Sequence, residues 1–119
     1  MTDEVMQSNS EELAAAVVGE RIMLASAGPS GMRITLASGR VVELHNSYDC
    51  CAYTELTNFF LKPSAIDHVI TGVRVEDGYQ TWHVYADMID VLDLEVAWSE
   101  GSGYYGYGFD IDVKEISND

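Results

Sequence analysis

The stretch His45-Asn-Ser-Tyr-Asp49-Cys50-Cys51 gathers the side chains of this sequence best suited to chemistry. A thiolate is a nucleophile or a metal ligand, an imidazole is a base or a ligand, and a carboxylate orients either one or binds a cation itself. Cys50 and Cys51 are the only cysteines in the chain. Adjacent Cα atoms lie about 3.8 Å apart, below the span of a relaxed disulfide, so a bond between them would be strained and easily reduced. In a strand the two would point to opposite faces, which predicts one of them buried as a small apolar residue. A metal site of His45, Asp49 and Cys50 or Cys51 has suitable donors but lacks the C-x-x-C or H-x-x-x-H spacing of known sites. A catalytic thiol with His45, His68 or His83 as its base requires a lowered thiol pKa, and acidic surroundings raise it. The structural reading is preferred, so no catalytic residue, bound metal or cofactor is assigned.

The carboxylates form a second group. Asp87, Asp90, Asp93 and Glu95 precede the segment "SEGSGYYGYG", and Asp110, Asp112 and Glu115 follow it. A hairpin turning near Gly101-Ser102 pairs Trp98 with Tyr105, Val96 with Tyr107, Leu94 with Phe109 and Leu92 with Ile111, all on one apolar face. The other face then sets Asp93 against Asp110, a like-charge pair that costs stability unless a cation or a basic partner offsets it. No calcium-loop pattern accompanies these residues. Glycine and alanine near the turn leave that face flat enough for another backbone to approach, and an exposed Tyr104 suits an interface. The predicted interaction surface is Asp93, Glu95, Asp110, Asp112, Tyr104, Gly106 and Gly108. A merely solvated acidic face is the alternative.

These residues need a scaffold. Ser8 and Glu11 have capping-box spacing, and "EELAAAVV" predicts a helix over 9–18 after a solvated tail at 1–7. "ERIMLAS" turns into a strand, and "AGPSG" is a turn. "MRITLASGRVVELHN" reads as a hairpin with an odd loop centred on Gly39. It puts Ile34, Leu36, Val42 and Leu44 inward, and Arg33, Thr35, Glu43 and His45 share the opposite face, where opposite charges can meet across the strands. "ELTNFFL" predicts a short internal helix ended by Lys62-Pro63. "AIDHVITGVRVEDG" is a strand with an Asp-Gly turn, and Tyr79 to Trp98 reads as a strand bent near Asp90. The expected fold is mainly β (α+β): an antiparallel sheet curled into a small roll or sandwich, one domain over 8–119, with one N-terminal and one internal helix.

Composition narrows the class. Twenty acidic residues against six Lys and Arg give a net charge of −14, which repels nucleic-acid and membrane phosphates and permits a basic partner. No apolar run reaches the ~18 residues of a membrane span, and the N-terminus lacks a signal-peptide pattern, so a cytoplasmic setting is expected. Walker, Ser-His-Asp and basic-patch patterns are missing from the sequence.

A strand ending in "LHNSYDCC", a Pro before the next strand, and "GYYG" near a late turn resemble an uncharacterised domain-of-unknown-function family of bacteriophages and bacterial genomes. The matching residues are His45, Asp49, Cys50, Cys51, Gly103, Tyr104 and Tyr105, and the likeness spans roughly residues 18–116. His45 stands one residue further from Asp49 than in that family, and Ser102 replaces an Asn. The resemblance implies a shared fold and a phage-type origin without a mechanism. The expected function is a small acidic accessory protein, acting in a host cytoplasm on a basic site of a host or phage protein as a mimic of nucleic-acid charge. Neither direct nucleic-acid nor membrane binding is expected, and homo-oligomers are permitted. The alternatives are a metal- or thiol-dependent enzyme centred on the His-Asp-Cys-Cys segment, and a virion or assembly component.

Overall fold

A computed structural model describes residues 3–48, 52–99 and 108–115. Helix α1 covers Asp3–Val17. It starts earlier than the Ser8 capping signal predicts, because Met6 adds a further buried position to the stripe of Asn9, Ser10, Leu13, Ala16 and Val17. That spacing of three and four residues is one helix face. Gly19, at φ +87°, ends the helix and donates its N–H to the Ile70 carbonyl.

Nine strands follow among the described residues: β1 Ile22–Gly28, β2 Gly31–Leu36, β3 Arg40–His45, β4 Ser47–Tyr48, β5 Tyr53–Leu61, β6 Gly72–Glu76, β7 Thr81–Ala86, β8 Ile89–Ser99 and β9 Asp110–Glu115. They form two antiparallel sheets, β1-β2-β3-β9 and β4-β5-β8-β7-β6. The sheets are not closed into a barrel, and residues of both join α1 in one core. The architecture is thus mainly β, as expected from the alternating pattern.

Several local expectations change. The segment expected as an internal helix is β5; only a 3-10 turn at Pro63–Ala65 is helical there. A register shift between Leu56 and Asn58 interrupts the alternation of β5 and leaves a three-residue, helix-like spacing from Leu56 to Phe59. Tyr79 to Trp98 is not one bent strand but the hairpin β7–β8, turning at Asp87 with φ 53°. The β2–β3 loop is odd, as its pattern requires, but it is centred on Ser38 rather than Gly39, and Ile34 opposes Val42.

The largest correction concerns the last hairpin. β8 is flanked on both sides, by β5 and β7, so no edge remains for β9. β9 instead pairs with the free edge of β3 in the other sheet. Asp93 therefore opposes His83 and Phe60, and Asp110 opposes His45. The inward positions survive the exchange of partners: Leu92, Leu94, Val96 and Phe109 are all buried.

The chain enters the four-stranded sheet through Gly108 and Phe109, and α1 holds it there. Asn9 Nδ2 donates to the Phe109 carbonyl at 3.0 Å, and the Phe109 N–H donates to Asn9 Oδ1 at 2.7 Å. The Phe109 ring meets Trp82 of β7 edge-on at 5.4 Å. A Cβ at Gly108 would collide with the Asn9 side chain. Asn9→Ala strands two buried backbone groups, so it is expected to lower unfolding free energy by roughly 2–4 kcal/mol in chemical denaturation. Gly108→Ala should cost about 1–3 kcal/mol by forcing the same contact apart, whereas a loss under about 0.5 kcal/mol from both variants would refute this role for Asn9.

Candidate functional site

Alternation along β5, β6, β7 and β8 turns one set of side chains away from the core. Glu55, Glu76, Asp90, Asp93 and Glu95 stand there, and Arg74 is the only Lys or Arg among the outward strand positions. Arg74, His83, Asp93 and Phe60 form one cross-strand row, and Glu76, Thr81 and Glu95 form the next. Phe60 is 56% exposed at the end of its row.

His83 is the hub of the first row. Its Nδ1 lies 2.8 Å from Asp93 Oδ1 and 3.2 Å from Asp90 Oδ2, while Nε2 lies 3.4 Å from Glu76 Oε1. Burial alone would depress the imidazole pKa, but the Asp93 hydrogen bond and the charges of Asp90 and Asp93 outweigh it and raise the value. Arg74 and then His83 hold the Glu76 carboxyl below its ordinary range.

A groove of about 530 Å³ opens beside the second row, lined by Tyr53, Thr57, Asp77, Gln80, Thr81, Glu95, Ala97 and Trp98 among others. One wall is the β6–β7 turn, where Asp77, Gly78 and Tyr79 all have positive φ, at 55°, 63° and 65°. Such a conformation is costly for a tyrosine and persists only when its surroundings fix it. Two indoles do so: Trp98 Nε1 donates to the Gly78 carbonyl at 2.7 Å and Trp82 Nε1 to the Tyr79 carbonyl at 2.9 Å. The Tyr79 ring also meets Trp98 edge-on at 6.3 Å, and its hydroxyl donates to Gln7 on α1 at 3.1 Å. Glu95 is exposed, and its carboxylate makes no hydrogen bond or ion pair among the described residues.

The outer face of the other sheet carries Arg33, Glu43, His45, Asp110, Asp112 and Lys114. Glu43 is buried at its centre, 2.9 Å from Arg33 Nη2, 3.2 Å from Lys114 Nζ and 3.3 Å from His45 Nε2. Opposite charges meet across these strands as expected, but the register centred on Ser38 sets Arg33 directly opposite Glu43, where a centre at Gly39 would set it opposite His45. A cavity of about 450 Å³ adjoins the cluster and is lined in part by Ser30, Arg33, Glu43, His45 and Lys114. Ser30 Oγ is 3.3 Å from His45 Nδ1.

The expected interaction surface is thus divided. Asp93 and Glu95 lie on the five-stranded sheet, and Asp110 and Asp112 on the four-stranded one. Gly108 faces Asn9 rather than a flat outer surface. Tyr104 and Gly106 lie outside the described residues, as do Asp49, Cys50 and Cys51. His45, the described member of that metal candidate, stands beside Glu43 and Asp112. Sequence reasoning considered His83 only as a base for a thiol and did not single out Asp77. The one available signal for His83 was its outward parity between Trp82 and Val84.

Lys114 first and Arg33 second hold the Glu43 carboxyl below its ordinary pKa of 4.5. A depressed folded-state value contributes stability above the unfolded value, lost as pH falls through the folded one. Glu43→Gln should therefore melt below the native protein near neutral pH, and the gap should close as pH drops below 4.5. A gap independent of pH across that window would contradict the assignment.

Comparison with curated proteins gives no match, and neither does comparison with solved structures. A family model does match, over residues 15–111, which is most of the chain and spans β1 to β8 and the first two residues of β9. It carries no activity, origin or partner, and it agrees with the likeness drawn from the sequence only at the level of an uncharacterised domain. The chain belongs to the family described as Domain of unknown function (DUF7448).

Proposed function

We propose that this protein is a non-enzymatic binding module that docks a Lys/Arg-rich protein surface on the outward face of its five-stranded sheet. The groove at Glu95 carries the reading. The carboxylates of Glu95 and Asp77 line it together with Tyr53 and Trp98. Aromatic walls suit the alkyl stem and the charge of a long basic side chain, and carboxylates accept its N–H donors. The volume falls within the ~300–1,000 Å³ of ordinary ligand clefts. A net charge of −14 steers a basic partner inward and repels nucleic-acid phosphates. Under this reading the protein presents negative charge to a site that ordinarily binds a phosphate backbone. The phage-type accessory role in a host cytoplasm belongs to the same proposal.

Calorimetric titration with an Arg/Lys-rich peptide tests it. Glu95→Gln and Tyr53→Ala should each weaken binding about tenfold, equivalent to about 1.4 kcal/mol. Asp110→Asn and Asp112→Asn, on the other sheet, should leave affinity within roughly twofold, as exposed charges remote from a contact contribute little. Equal losses from the two faces would mean diffuse attraction and would refute the groove.

A further inference from the structure

We infer that His83, Asp90 and Asp93 form a binding site for a divalent first-row metal ion of the Mn²⁺ or Zn²⁺ kind. The three donors come from neighbouring positions of two adjacent strands rather than from loops. Asp93 lies directly across from His83, and the register shift between Val84 and Tyr85 brings Asp90 alongside. Their donor atoms all lie within 4.8 Å of one another. Metal–ligand bonds of about 2.1 Å set adjacent donors about 3.0 Å apart around an octahedral ion and about 3.4 Å apart around a tetrahedral one. The observed separations from Nδ1, 2.8 and 3.2 Å, already bracket the octahedral spacing.

A second observation comes from the other end of the ring. His83 Nε2 is buried with no hydrogen-bond partner, and the nearest acidic atom is Glu76 Oε1 at 3.4 Å. Glu76 stands where an outer carboxylate orients a metal-binding histidine. Nδ1 faces two more carboxylates and is hydrogen-bonded to Asp93, so a bound ion takes the place of the proton between them. Glu76, Asp90 and Asp93 against Arg74 leave two negative charges, which a divalent ion neutralises and a single proton does not. One imidazole nitrogen with two carboxylates suits Mn²⁺, Fe²⁺ or Zn²⁺ better than the all-oxygen preference of Ca²⁺. The uncovered face leaves the other coordination positions to water.

The corresponding group on the other sheet, Glu43, His45 and Asp112, is the weaker candidate, because Arg33, Lys114 and His45 already engage the Glu43 oxygens. The His83 site shares a face with the Glu95 groove but uses none of its residues, so its test involves no protein partner.

The test is titration of chelator-stripped full-length protein with MnCl₂ and ZnCl₂ at about pH 8, where ligand protons compete least. Co²⁺ absorption and thermal melts complete the set. We expect one ion per chain and a metal-dependent rise in melting temperature. Asp90→Asn and Asp93→Asn should each weaken binding at least about tenfold while the metal-free melt stays cooperative, and His45→Gln should bind as the native protein does. Failure to bind any of the ions stoichiometrically would overturn the inference. So would binding that survives the Asp90→Asn/Asp93→Asn double variant, or a cobalt–thiolate band placing the ion on Cys50 or Cys51.

Discussion

The carboxamide of Asn9, buried in α1, holds both the N–H and the carbonyl of Phe109, and the two-sheet arrangement depends on this pair of bonds. Phe109 immediately precedes β9, the strand that completes the four-stranded sheet, while its ring packs on Trp82 of the other sheet. Three layers therefore meet at one residue. Gly108 must lack a side chain for Asn9 to reach that backbone. The Gly108 carbonyl is held in turn by the hydroxyl of Ser47 at 2.7 Å. Polar groups buried this deeply are tolerable only when satisfied, and here each is.

Once the crossover is fixed, the outer face of the five-stranded sheet follows. β8 becomes a central strand with both edges filled, so its outward residues Asp93 and Glu95 lie between strands rather than at a free hairpin. Trp82 and Trp98 then reach the β6–β7 turn with their indole N–H groups and hold Asp77 at the rim of the groove. Backbone strain held in place by two large aromatic side chains is the kind that accompanies a positioned functional group. The contrast with the other sheet is electrostatic. There the central Glu43 is neutralised by Arg33 and Lys114, whereas Glu95 has no counter-charge among the described residues.

Which residues face inward was legible in the sequence, because parity is a local property of a strand. Ile34, Leu36, Val42, Leu44, Leu92, Leu94, Val96 and Phe109 are inside as their alternation requires. The β2–β3 hairpin was legible as well, but the partners of β8 and β9 were not. The apolar positions of β8 and β9 match each other as well as they match β5, β7 and β3, and only the occupancy of edges decides. β5 was misread because its bulge imitates a helical spacing. The cluster at His83 was hidden for a related reason. Its members are separated by a turn and a register shift, and no motif spans them. The groove was hidden except for Glu95, since Tyr53, Asp77 and Trp98 come together only when β5, β8 and the β6–β7 turn share one end of the sheet.

The central claim is that this face, and not the negative charge of the chain as a whole, receives a partner. Two-dimensional ¹H–¹⁵N NMR during addition of a Lys/Arg-rich peptide tests it most directly. Shifts should concentrate on the Trp98 indole N–H and on the amides of Thr81, Glu95 and Ala97. Shifts spread evenly over both sheets, or centred on Glu43 and Asp112, would contradict it.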